Sequence, residues 1–186
     1  MNVQLKKAIG PLDWLKVYRL YIDAFPTSER KPFWVILRKV RAHKTDVWCL
    51  YAERRFAGFA TTVNGDNEVL LDYLAVKKAW RGKGVGSSAL RALIARYEPC
   101  GMMVEIESPF EPGEDQPERL RRKAFYQACG MEPFGVMANV FGVAMELLGR
   151  NCRMTFDEYQ TFYRVHYSPW AAEHLSELPY PETTED

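Results

Sequence analysis

The sequence predicts a mixed α/β fold built on a mostly antiparallel sheet flanked by helices, and three observations carry that expectation. Three strand-like runs, Val47 to Glu53, Phe56 to Val63 and Val69 to Val76, follow one another with only short polar turns between them, which is the spacing of antiparallel hairpins. The basic glycine turn Arg81-Gly82-Lys83-Gly84-Val85-Gly86 then leads from the third run into an amphipathic stretch with helical period. Another strand-like run, Met102 to Glu107, comes next, so the helix is a crossover and the strands it joins are expected to be parallel.

Each element has its own justification. Val3 to Ile9 reads as a first strand, and Leu12 to Phe25 places Leu12, Leu15, Tyr18 and Ile22 on one helical face. Prolines break the chain across Pro26-Thr27-Ser28-Glu29-Arg30-Lys31-Pro32, and Phe33 to Ala42 resumes as a second helix. Arg54-Arg55 and Asn64-Gly65-Asp66-Asn67 are the turns of the strand run. After the glycine turn, Val85, Ala89, Leu90, Leu93, Ile94 and Tyr97 form a broad apolar face while Arg91 and Arg96 point outward. The acidic segment Pro109 to Pro117 is a loop, and Pro117 suits the first turn of a helix whose expected buried stripe is Leu120, Ala124, Phe125 and Ala128, ended by Gly130. Glu132 to Met137 and Val140 to Leu148 close the sheet. Thr155 and Glu158 have capping-box spacing before Tyr159, Phe162, Tyr163 and His166, which predicts an added helix. The expected organisation is one domain over residues 1–150 followed by a C-terminal helical extension and a disordered polar tail over 151–186.

Bulk properties narrow the function. Twenty-five basic and 24 acidic residues leave a formal charge of +1, which excludes a general nucleic-acid or membrane-surface binder, so any anion site has to be local. Cys49, Cys100, Cys129 and Cys152 have no C-x-x-C spacing and no grouping with His43, His166 or His174, which argues for reduced thiols and no metal. No apolar run reaches the ~18 residues of a membrane helix, and Met1 to Ala8 lacks the apolar core of a signal peptide. The expectation is a soluble cytoplasmic protein.

The glycine turn has the composition of an anion cradle. Its three glycines let backbone approach a ligand and adopt positive φ, and it feeds a helix N-terminus whose free N–H groups and dipole favour phosphate. A Walker A loop needs Gly-Lys-Ser/Thr at its end, whereas here Gly82-Lys83 comes first and glycine follows. Gly84-Val85-Gly86-Ser87-Ser88-Ala89 does match the dinucleotide G-x-G-x-x-A, with Glu105 about twenty residues further on. Against that reading, Lys77-Lys78-Ala79-Trp80-Arg81 separates strand from glycine, and the turn follows antiparallel strands instead of opening a βαβ series. A third alternative makes the glycines a purely structural turn.

Arg-x-x-Gly-x-Gly, followed about forty residues on by Ala124-Phe125-Tyr126-Gln127-Ala128-Cys129-Gly130-Met131, resembles the two signature segments of the GNAT superfamily of acyl-CoA N-acyltransferases. The resemblance implies acetyl-CoA as co-substrate and a mixed, mostly antiparallel sheet. It also implies that Arg81, Gly82, Lys83, Gly84, Val85, Gly86 and Ser87 hold the pyrophosphate, and that main-chain groups of Leu74, Ala75 and Val76 pair with the pantetheine arm. Tyr126 then stands as the general acid for the departing thiolate. Period-two alternation puts Met103, Glu105 and Glu107 on one strand face. Val104-Glu105-Ile106 resembles the apolar-Glu-apolar strand of protein N-terminal acetyltransferases, which makes Glu105 the first candidate base, Glu107 the second, and Asp72 a further base or acceptor contact. The inserted Pro109–Pro117 segment departs from that subfamily. Its Glu111, Glu114 and Asp115, with Glu29, form an acidic rim suited to a cationic acceptor if they are more than solvated loop acids. Carboxylates that merely cap or face solvent, and a Tyr126 that merely packs, are the plainer alternatives. The implied activity is direct transfer of an acetyl group to a primary amine, on a small molecule or a peptide. A non-catalytic CoA-binding module and a nicotinamide oxidoreductase are the competing classes, and a homodimer is left open.

Overall fold

The computed structural model describes residues 2–27 and 30–181. The chain divides into two compact units, Met1–Pro99 and Cys100–Asp186.

The first unit holds β1 (Val3–Lys7), α1 (Pro11–Ala24), α2 (Phe33–Arg41), β2 (Thr45–Ala52), β3 (Arg55–Asn64), β4 (Glu68–Val76) and α3 (Val85–Arg96). Its strands lie in the order β1-β2-β3-β4, each antiparallel to its neighbour. Two apolar layers form on the sheet. Val17, Leu20 and Tyr21 of α1 and Ile36 of α2 pack with Cys49, Phe59, Tyr73 and Ala75. Val85 and Ala89 of α3 pack with Leu50, Ala52, Ala57, Leu74 and Val76 in a separate cluster. The β2–β3 turn is Glu53-Arg54, one residue earlier than the sequence suggests, with φ of +49° and +62° at these positions.

The expected face of α1 is corrected. Leu12, Leu15, Tyr18 and Ile22 are exposed, at 70%, 44%, 45% and 43%, while Val17 and Tyr21 are 1% exposed. The helix carries two apolar stripes, so periodicity alone cannot choose between them. Tyr21 decides the rotation: its hydroxyl donates to the Lys31 carbonyl at 2.9 Å and lies 3.2 Å from the Tyr73 hydroxyl, contacts possible only if the second stripe faces the sheet.

The second unit holds β5 (Gly101–Glu107), α4 (Gln116–Gln127), β6 (Glu132–Val140), β7 (Val143–Arg150), α5 (Phe156–His166), α6 (Pro169–Glu173) and β8 (Leu175–Leu178). Antiparallel pairing gives the order β5-β7-β6-β8. The capping box of α5 is present in full, the Thr155 side chain accepting from Glu158 N–H and the Glu158 carboxylate accepting from Thr155 N–H. Beyond that helix, α6 and β8 were not expected, because a four-residue edge strand has no period to read; β8 forms by pairing with Val140–Met137 of β6. The end of the expected tail, 182–186, lies outside the described residues.

The buried stripe of α4 is corrected as well. Leu120 is 50% exposed, whereas Arg119, Tyr126 and the following Cys129 are buried. Two cations turn inward to partners: Arg119 donates to the Glu111 carbonyl at 2.7 Å, and Lys123 pairs with the fully buried Glu146 at 2.8 Å. A rule that sends cations outward therefore misplaces this helix by about one residue. Among the described residues, no helix is long and apolar enough to cross a membrane.

Candidate active site

Beyond β4, a short 3-10 turn over Lys78–Trp80 leads to the glycine turn. Gly82 and Gly84 have φ of +71° and +76°, a left-handed region that costs a residue with a Cβ about 1–2 kcal/mol. A Cβ built on either would meet nothing within 4 Å. The glycines thus satisfy a backbone requirement and leave open space in front of the loop. Gly84 is also the N-cap of α3, and no side chain caps that helix. Among the described residues, the amides from Gly82 to Ser87 have no backbone acceptor. A row of N–H groups without backbone acceptors at the positive end of a 12-residue helix has the geometry and the dipole that favour an anion.

The basic flank is less directed than its sequence suggests. Arg81 donates its Nε to the Val76 carbonyl at 3.1 Å, folding back over the end of β4, and Lys83 lies 5.5 Å from the centre of the Trp80 ring. Leu74, Ala75 and Val76 pair with Ala60, Phe59 and Gly58 of β3. Gly58 allows the close approach of β3 to β4, which the strand pattern alone does not announce: a Cβ there would collide with the Ala75 carbonyl. A glycine inside a strand-like run is the signal that could have found it.

In the second unit Tyr126 is 8% exposed, and its ring meets Phe125 edge-on at 5.1 Å. Burial pushes its phenol up to about 12, opposed by the positive charge of Arg122 one turn earlier. The phenol is thus a neutral donor held against Phe125, with a cation near enough to favour its anion.

Glu105 and Glu107 alternate onto one face of β5 as expected, but they acquire different partners. The Tyr163 hydroxyl of α5 lies 2.9 and 3.0 Å from the two carboxylate oxygens of Glu105 and donates to that group. Glu107 receives Arg122 of α4 at 3.4 Å. Arg122 was not singled out by sequence, where it is one of several cations on a charged helix; here it connects Glu107 to the surroundings of Tyr126. Asp72 is the extra residue of a β-bulge, where the β3–β4 register steps from Thr61↔Tyr73 to Thr62↔Leu71, and it is ion-paired with Lys31. Glu111, Glu114 and Asp115 are exposed, Asp115 pairing with Arg119 at 3.2 Å; Glu29 lies outside the described residues. No cluster of His, Cys, Asp and Glu that could hold a metal occurs among the described residues, where the four cysteines form no disulfide with one another.

An uncapped, glycine-bearing helix start follows an antiparallel run, and that run is not the βαβ opening of a dinucleotide fold. The chain belongs to the acetyltransferase (GNAT) family, whose model matches residues 14–131. Its fold is shared with a GNAT-family protein from Bacteroides thetaiotaomicron at TM-score 0.73 and 18% identity, covering 90% of this chain and 98% of that one. A GNAT acetyltransferase from Elizabethkingia anophelis with acetyl-CoA bound aligns at TM-score 0.58 and 14% identity, covering 81% and 99% of the two chains. The ribosomal-protein-S18-alanine N-acetyltransferase from Escherichia coli aligns at TM-score 0.57 and 16% identity over 82% and 96%. No curated protein matches the sequence.

Proposed function

We propose that this protein transfers an acetyl group from acetyl-CoA to a primary amine by direct attack in a ternary complex. The observation that carries the reading is the uncapped row of amides from Gly82 to Ser87 in a chain of the acetyltransferase family. Those amides, with the guanidinium of Arg81 and the ammonium of Lys83, hold the pyrophosphate by charge-assisted hydrogen bonds. Main-chain groups of Leu74, Ala75 and Val76 take the pantetheine arm as an added strand would be taken.

The amine nitrogen forms its bond to the thioester carbonyl carbon, the C–S bond breaks, and two protons move. Tyr126 gives one to the departing thiolate; a phenol raised to about 12 releases its proton reluctantly, and Arg122 offsets this by stabilising the phenolate. The other leaves the amine for Glu105, directly or through a water, with Glu107 as the alternative acceptor.

A panel of primary amines assayed for thiol release from acetyl-CoA tests this. Turnover with at least one amine is expected. Acetyl-CoA raising the melting temperature while every amine fails would leave a CoA-binding module, and stabilisation by NADH in place of acetyl-CoA would overturn the reading.

A further inference from the structure

The residues matched by the family model end at Met131, and α5 begins at Phe156. We infer that this added helix is a working part of the site: Tyr163 is a positioning residue that holds the Glu105 carboxylate in place and in its charged form. The inference rests on the reading of Glu105 as the base.

Three observations carry it. The start of α5 is fixed by its capping box, and the helix buries Tyr159, Phe162 and Tyr163, so Tyr163 reaches β5 from a rigid element. Its hydroxyl is almost equidistant from both oxygens of Glu105, at 2.9 and 3.0 Å, which ties the carboxylate as a unit. Next to them lies Tyr159, 0% exposed, with its ring 5.0 Å from that of Tyr163 and its hydroxyl without a well-formed hydrogen bond among the described residues. Burial raises the Tyr159 phenol well above its ordinary range, and the negative charge of Glu105 adds to this. The Tyr159 phenol therefore faces the carboxylate as a neutral group.

Tyr167 stacks behind Tyr163 at 4.5 Å and 17°, Leu147 stands opposite on β7, and Glu107 two residues along is held by Arg122. A base needs to be ionised at working pH and aimed. A hydrogen bond donated to the charged form supplies the first, and a donor mounted on a packed helix supplies the second. When Glu105 accepts the amine's proton on one oxygen, Tyr163 keeps donating to the other and exchanges no proton itself.

Tyr163→Phe removes the donor and keeps the ring. The acidic limb of kcat/KM should move up by about one pH unit, because the charged carboxylate loses a stabilising hydrogen bond. At pH 7 the rate should fall by no more than about tenfold, the most that a one-unit shift produces, and recover toward wild type at high pH, with the melting-temperature rise given by acetyl-CoA unchanged. In a Glu105→Gln background the same change should cost less than about twofold, since there is no longer a base to position. Should Tyr163→Phe fold poorly, 3-fluorotyrosine at position 163 keeps shape and strengthens the donor, and the limb should then move the opposite way. An unmoved limb, or losses that multiply in the double variant, would overturn the role of α5 while leaving the base assignment standing. Full activity in Glu105→Gln alone would overturn the base assignment itself.

Discussion

The anion cradle at Gly82–Ser87 and the carboxylate strand β5 are built in opposite ways. The cradle is local: two glycines at φ of +71° and +76° and an uncapped helix start lie within a few residues of one another, and no distant side chain is needed to make them. Glu105 and Glu107 share a strand face and differ by two positions, yet one is held by Tyr163, 58 residues away, and the other by Arg122, 15 residues away. A site made of backbone conformation tolerates little change in its own residues. One made of side-chain partners can be retuned from elsewhere in the chain.

The largest effect is expected where the site is backbone. Gly84→Asp puts a carboxylate and a Cβ at φ +76° in front of the free amides, and it should weaken acetyl-CoA binding by more than about 100-fold. The melting-temperature rise given by acetyl-CoA would disappear from a protein that still folds. Retained affinity would make the turn structural only and dissolve the contrast with β5.

Tyr126 comes next. Tyr126→Phe should lower kcat by roughly 10- to 1000-fold with acetyl-CoA affinity nearly unchanged, since it removes a proton donor and keeps the packing volume. Its titration gives an independent reading. Tyr126 and Tyr97 are both pushed up to about 12 by burial, from an ordinary 10.0. For a phenol raised on folding, the stabilisation is complete below the unfolded value and is lost as pH rises through the folded one. The protein should therefore lose stability between about pH 10 and 12, with tyrosinate absorbance rising as it unfolds. The full absorbance of all ten tyrosines rising near pH 10 without unfolding would show that these phenols are hydrated.

The smallest effect is expected at Glu107. Its partner Arg122 is 40% exposed, so a double-mutant cycle over the pair should give less than about 1 kcal/mol of stability. Glu107→Gln should cost less activity than Glu105→Gln, and the reverse ranking would transfer the role of base from the carboxylate held by tyrosine to the one held by arginine.

The helices carry the same lesson as the two sites. α3 was legible because it has one apolar face, and Val85, Ala89, Leu90 and Leu93 are the residues it buries. α1 has two, and choosing between Leu12–Leu15–Tyr18–Ile22 and Val17–Leu20–Tyr21 needed the hydroxyl contacts of Tyr21 with Lys31 and Tyr73. α4 was misread because Arg119 and Lys123 point inward to the Glu111 carbonyl and to Glu146, partners that no local pattern announces.

By itself the sequence determined what depends on neighbours along the chain. The strand run, the glycine turn with its helix start, the capping box of α5 and the alternation of Glu105 with Glu107 all follow from φ/ψ preference, hydrogen bonds over three or four residues and the fixed periods of helix and strand. Tertiary structure alone decided which stripe of α1 is buried, that Asp72 sits in a bulge paired with Lys31, that Leu175–Leu178 becomes an edge strand, and that Tyr163 meets Glu105. Each of those outcomes depends on a partner far along the chain, and the favoured arrangement is the one that leaves the fewest buried polar groups without hydrogen bonds.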